Sequence, residues 1–154
     1  MRAVVLPEPG PIENLVVMER PVPELKAADD VLVEVSACAV CHRDLLDRAG
    51  AFPFINKDVV LGHEIAGTVV DVGPGVRGLA PGDNVVSLHW APCGACRACL
   101  EGRHTHCSRA RETFFGLTAD GGYATHTVNR ESAFVRVCSS TWTPLEAAPV
   151  MCAW

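Results

Sequence analysis

Val31-Leu32-Val33-Glu34-Val35-Ser36-Ala37 runs straight into Cys38-Ala39-Val40-Cys41. Neighbouring side chains of a strand point to opposite faces, so the alternation places Val31, Val33, Val35 and Ala37 on one side and Glu34 and Ser36 on the other. The stretch predicts a half-buried strand whose end delivers two thiols. The segments around it have the same character: Arg2–Leu6, Leu15–Glu19, Ile65–Val72, Asn84–Leu88, Tyr123–Asn129 and Ala133–Val137 are short, mostly valine-rich and bounded by proline, glycine or polar residues. That punctuation predicts a mainly β domain.

Two places break the pattern. His42-Arg43-Asp44-Leu45-Leu46-Asp47-Arg48-Ala49 lacks β-branched residues and stops at Gly50, which predicts one or two helical turns. Thr143-Pro144-Leu145-Glu146 is a helix start, with a hydroxyl cap, proline in the first position and glutamate in the third. The helix it opens, over 143–154, carries Ala147, Ala148, Val150, Met151 and Cys152 and reaches Trp154 with barely three turns made. A chain that stops there reads as a fragment or a truncated frame.

The length of 154 residues suits one domain, and 49% apolar against 20% charged residues marks it as globular rather than disordered. A formal charge of -5 with no basic stripe argues against nucleic acid as a partner. Met1 to Glu8 is too short and too broken by proline for a signal peptide, and no segment is apolar enough to span a bilayer, so a cytoplasmic, reducing location without a membrane partner is expected. There, clustered cysteines bind metal more readily than each other.

Cys93-Gly94-Ala95-Cys96-Arg97-Ala98-Cys99, then Cys107, is such a cluster. Three thiols at every third position suit a loop that folds back on one centre. Four thiolates saturate a tetrahedral zinc ion and leave no open position, so Cys93, Cys96, Cys99 and Cys107 are expected to form a structural zinc lobe at about 90–110. Gly73-Pro74-Gly75-Val76-Arg77-Gly78 spells G-x-G-x-x-G after a strand. A dinucleotide site needs a helix to start there and an acid about 20 residues on. Pro81-Gly82 and the cysteine lobe occupy those places, so nucleotide binding here is not expected. Cys41, His63-Glu64 and Cys152 could ligate a second metal, but nothing in their spacing joins them. Taken singly, each suits an ordinary core or surface residue.

Cys41-His42-x-Asp44, Gly62-His63-Glu64, the four-cysteine lobe, Asp120-Gly121-Gly122-Tyr123-Ala124 and Ala148-Pro149-x-x-Cys152-Ala153, in this order, resemble the zinc-dependent alcohol dehydrogenases of the medium-chain dehydrogenase/reductase family. The match runs from about Met1 to Ala153 and covers the catalytic half of that family. It implies a GroES-like, partly open β-barrel with short helices over 1–154, and a Rossmann nucleotide-binding domain that is absent from this chain. It further implies a catalytic zinc held by Cys41, His63 and Cys152, with Glu64 as an occasional fourth ligand and Asp44 orienting His63. His42 takes the position that approaches the pyrophosphate of NAD or NADP. The implied activity is oxidation of a small-molecule alcohol to an aldehyde or ketone by hydride transfer to NAD(P), the isolated chain being expected to be inactive; homo-oligomerisation is left open. Phe52, His89 and Trp90 fall where relatives line the substrate pocket.

Two positions depart from the family pattern. Arg43 stands where a serine or threonine is common, and Leu46 where many relatives place a relay histidine. The usual hydroxyl-to-histidine proton path is therefore missing, which keeps an enoyl-reductase-like relative in view. A non-catalytic zinc-stabilised module that binds a partner through the apolar end near 143–154 is the alternative from outside catalysis.

Overall fold

The computed structural model describes residues 1–137 and 141–153, the side chain of Ala153 excepted. Its strands are β1 (Arg2–Leu6), β2 (Val16–Glu19), β3 (Asp30–Ala39), β4 (Val59–Val60), β5 (Glu64–Val72), β6 (Asn84–Ser87), β7 (His126–Arg130) and β8 (Phe134–Arg136). Four short helices join them: α1 (His42–Ala49), α2 (Arg97–Leu100), α3 (Pro144–Ala147) and α4 (Val150–Ala153). Antiparallel pairing gives a three-stranded sheet, β2-β1-β4, and a five-stranded sheet, β7-β3-β5-β6-β8. The sheets do not close; an isolated bridge between Ala3 and Ala124 links their edges, as a partly open barrel requires.

The long strand β3 lies between β5 and β7 and organises the core. Val31 and Val33 are fully buried and meet Ile65, Val69, Val85 and Phe115. The expected alternation ends before Ala37. A register shift between Val35 and Ala37 in the β3–β5 ladder inserts an extra residue, and such a bulge turns every later side chain over. Cys38 therefore joins the Val31 side. Ala37 and Ala39 face the other way, against Ala147 and Ala148. The bulge thus makes a seat for the C-terminal helices on the back of the strand that supplies Cys41.

Helix α1 begins after Cys41 and ends at Gly50 (φ 81°), as expected. Two expectations shift. Strand β7 begins at His126 rather than Tyr123, because Tyr123 is drawn to the other sheet: its carbonyl accepts Val4 N–H at 2.8 Å and its own N–H reaches the Leu61 carbonyl at 2.9 Å. The single helix expected from Thr143 is two, α3 and α4, parted at Pro149. Proline has no N–H to continue the ladder. Trp154 lies outside the described residues. The Thr143 cap itself forms, its hydroxyl accepting Glu146 N–H at 3.4 Å while the Glu146 carboxylate accepts Thr143 N–H at 2.9 Å.

The Gly73–Gly78 segment forms a turn, with no helix after it. Its amides are already taken: Gly73 N–H donates to the Asp30 carbonyl at 2.8 Å, Gly75 N–H to the Ala28 carbonyl at 2.7 Å, and Arg77 N–H to the Glu131 carboxylate at 3.1 Å. Nothing is left there to cradle a phosphate.

Candidate metal centres

The four sulfurs of Cys93, Cys96, Cys99 and Cys107 lie within 4.8 Å of one another. The local chain explains the convergence. Gly94 (φ 68°) turns the segment back, and α2 returns Cys99 to 3.9 Å from Cys93. Backbone amides aim at the sulfurs: Cys96 N–H at Cys93 and Cys93 N–H at Cys107, both at 3.4 Å. Donation from Ala95 and Cys96 N–H lowers the Cys93 thiol, and donation from Cys99 and Ser108 brings Cys96 down to about 6. Burial pushes Cys99 up to about 12. Four converging sulfurs, two of them inclined to ionise, fit a saturated zinc site.

Thr113 fastens the lobe to the barrel. Its buried hydroxyl accepts Ala91 N–H at 3.0 Å, and its carbonyl accepts from Asn129 Nδ2 at 3.1 Å.

The second group has no such local logic. Cys41 is the cap of α1, His63 and Glu64 lead into β5, and Cys152 is in α4, yet one ligand atom from each lies within 4.8 Å of the others. His63 is fully buried and Glu64 is 4% exposed. Buried Ser87 pins this corner, donating to the His63 carbonyl at 2.6 Å and accepting Ile65 N–H at 3.0 Å. Gly62 enters it at φ 92°, and a Cβ on Gly121 would lie 1.9 Å from the Gly62 carbonyl. Only glycine allows that conformation and that approach without strain.

His63 presents Nε2 to Cys152 Sγ at 3.5 Å and Nδ1 to Asp44 Oδ1 at 3.1 Å. The other oxygen of Asp44 accepts Cys41 N–H at 2.8 Å. One buried carboxylate thus steadies two of the converging residues. Burial alone would raise Asp44, but the donations from His63 and Cys41 outweigh it and hold the carboxyl below its usual value. Burial, Glu64 and Cys41 together push Cys152 up to about 12. The donors are therefore crowded with negative groups that a divalent cation would neutralise, and Cys41, His63 and Cys152 fit zinc with one position left over, beside which Glu64 stands as a further donor.

Arg43 and Leu46 do not restore a proton path. Leu46 is exposed, and Arg43 turns inward to pair with buried Asp47, Nε to Oδ2 at 3.1 Å, and to donate from Nη2 to the Phe115 carbonyl at 2.6 Å. Burial raises Asp47 to about 6 against the pull of Arg43, and its Oδ1 has no partner among the described residues. His42 is exposed at the first turn of α1.

His89, expected to line the substrate pocket, stands against the second centre. Its Nε2 is 3.0 Å from Cys152 Sγ and its ring centroid 5.2 Å from that of His63. Burial, His63 and Arg43 pull it down to about 4. From His89 a row of rings leads outward through Trp90, Phe114, Phe54 and Phe52, with successive centroids 5.2 to 6.3 Å apart. A cleft of about 210 Å³ opens beside it, walled by Leu88, His89, Trp90, Pro92, His104 and Met151.

Comparison with known proteins identifies the fold. The family described as alcohol dehydrogenase GroES-like domain matches residues 27–139. An alcohol dehydrogenase of Geobacillus stearothermophilus is 35% identical over 155 residues, covering 99% of this chain and 44% of its own. An acryloyl-coenzyme A reductase of Sulfurisphaera tokodaii is 34% identical over 141 residues, covering 92% of this chain and 41% of its own. The solved structure of a cobalt- and zinc-bound thermostable alcohol dehydrogenase from Pyrobaculum aerophilum superimposes with a TM-score of 0.87 at 33% identity, over 98% of this chain and 44% of that one. The chain spans less than half the length of each of these relatives. It belongs to the alcohol dehydrogenase GroES-like domain family, within the medium-chain dehydrogenase/reductases.

Proposed function

We propose that residues 1–154 are the catalytic-domain portion of a zinc-dependent oxidoreductase that oxidises a small-molecule alcohol to an aldehyde or ketone with NAD or NADP as hydride acceptor. The observation that carries the proposal is the meeting of Cys41, His63, Glu64 and Cys152 from four separate parts of the fold. Cys41, His63 and Cys152 would hold the catalytic zinc, with Glu64 behind them as a further donor; Cys93, Cys96, Cys99 and Cys107 would hold the structural one. Zinc bound by the first set would supply Lewis acidity toward an alcohol or carbonyl oxygen.

The remaining work falls to the chain. Asp44 holds the Nδ1 proton of His63, which leaves Nε2 free to ligate. Trp90 and its neighbours give the cleft an apolar wall that excludes water. His42, exposed at the first turn of α1, offers a ring N–H donor for a pyrophosphate. A Rossmann domain would hold the nicotinamide, and positioning of that kind can be worth about 7–11 kcal/mol of barrier. The isolated chain is therefore expected to turn over poorly. The test is optical: with cobalt in place of zinc, the absorption bands of the second site shift when an alcohol or aldehyde is added, and Cys152→Ser abolishes the shift. Bands indifferent to every alcohol and aldehyde offered would remove the proposal.

A second reading, reduction of a carbon–carbon double bond conjugated to a carbonyl, is favoured by one observation. Arg43 is locked between Asp47 and Phe115 in the place of a relay hydroxyl, and a guanidinium does not give up its proton. The similarity to an acryloyl-coenzyme A reductase supports the same reading. It is separated from the first by whether zinc at Cys41, His63 and Cys152 is required.

A further inference from the structure

Tyr123 is the one tyrosine of the chain, and it ties the seam between the two sheets to the second centre. Its backbone is held on both sides, by Val4 N–H at 2.8 Å and by the Leu61 carbonyl at 2.9 Å. The ring packs against Val5, Val60, Leu6 and Leu61. It also closes over the residue before His63: a Cβ on Gly62 would lie 2.7 Å from ring Cδ1 and 2.9 Å from Cε1. The phenol thus occupies space that is open only because Gly62 has no side chain.

Packing accounts for the ring but not for the hydroxyl. The oxygen is buried and has no partner at ordinary hydrogen-bond geometry among the described residues. Such a group costs stability, and phenylalanine would fill the same space without that cost. The acceptor it faces is the Asp44 carboxylate. Burial first, and then the charge of Asp44, push the phenol up; in return the nearness of the Tyr123 hydroxyl joins His63 and Cys41 N–H in holding Asp44 down against its own burial. Cys38 and Glu64 bear on the phenol by charge alone. Asp44 has room for a further donor, since each of its oxygens carries two lone pairs and His63 and Cys41 take one each. We propose that Tyr123 is a positioning residue of the second centre, its hydroxyl serving as third donor to Asp44 and, through that carboxylate, keeping His63 turned so that Nε2 meets Cys41 and Cys152. The proposal rests on the reading that Cys41, His63 and Cys152 hold a metal.

The test is Tyr123→Phe, which removes the hydroxyl and keeps the ring. In the metal-free chain its thermal midpoint should fall below the native one, whereas removal of an unpaired buried hydroxyl would leave the midpoint level or raise it. In competition with a chromophoric chelator the variant should bind zinc at the second site about three- to tenfold more weakly, less than the 10–100-fold lost with a group bonded directly to a metal-holding histidine, and the cysteine lobe should be unchanged. Because the hydroxyl acts through the Asp44 charge, the affinity loss should shrink to within about twofold in an Asp44→Asn background, with circular dichroism to show that all four chains fold alike. A midpoint level with or above the native one overturns the proposal. So does an affinity loss of the same size in both backgrounds, which would make the hydroxyl a packing group. Failure of the metal reading is visible separately, as a native chain that takes up no second zinc, and the metal-free midpoints then decide whether Tyr123 bonds to Asp44.

Discussion

Replacing Asp44 with asparagine keeps the size of the side chain and removes its charge. In the native chain the two carboxylate oxygens serve two donors, His63 Nδ1 at 3.1 Å and Cys41 N–H at 2.8 Å, with His63 fully buried and Asp44 4% exposed. Asparagine has one oxygen to offer, so one donor must face an NH₂ group. Hydrogen bonds to charged partners contribute about 1.5–3 kcal/mol each. Loss of a supporting carboxylate behind a metal-binding histidine weakens metal binding about 10–100-fold, which is about 1.4–2.8 kcal/mol. The two routes to the magnitude agree. Competition with a chromophoric chelator should therefore show the second zinc of Asp44→Asn bound about 10–100-fold more weakly, with the cysteine lobe unchanged. A change below about twofold at the second site would refute the view that Asp44 steadies it.

Cys99→Ser should cost the lobe its zinc and, because structural zinc can supply on the order of 10 kcal/mol of folding free energy, lower the thermal midpoint of the chain measurably; an unchanged midpoint and zinc content would show that the lobe is not a metal brace. Ile65→Ala, at a residue 1% exposed in the main core, should destabilise by about 2–5 kcal/mol in urea titration, and a loss under 1 kcal/mol would mean the core repacks. Asp47 and His89 give opposite pH slopes. Asp47 binds its proton more tightly when folded, at about 6 against 3.8, so its contribution to stability falls as pH rises through that window; His89, at about 4 against 6.5, adds stability as pH rises from 4 to 6.5. The midpoint of Asp47→Asn relative to native should thus climb between pH 4 and pH 6, and a constant difference would contradict the raised carboxyl.

The strands were legible because short valine-rich runs bounded by proline, glycine or polar residues are a local signal, sharpened by alternation in β3, and they marked β1, β3, β5 and β6 closely. The bulge in β3 was not, since it is a mismatch between two strands and has no signature in Val35-Ser36-Ala37 alone. Its consequence, Ala37 turning toward Ala147 and Ala148, escaped with it. The cysteine lobe could be read from spacing because all four sulfurs come from one short stretch. Cys41, His63 and Cys152 could not: β3, β5 and α4 must fold before they meet, and only the family resemblance joined them in advance. Arg43 was visible as a departure, but its partners, Asp47 one turn away and the distant Phe115 carbonyl, were not, and neither was the approach of His89 to Cys152.

The most direct test of the account is the zinc content of the purified chain by elemental mass spectrometry, with Cys93→Ser and His63→Ala beside it. The geometry predicts two zinc ions per native chain and one in each variant, lost from different sites. A native chain with a single zinc that Cys93→Ser removes and His63→Ala does not would leave the brace standing and take away the reaction centre.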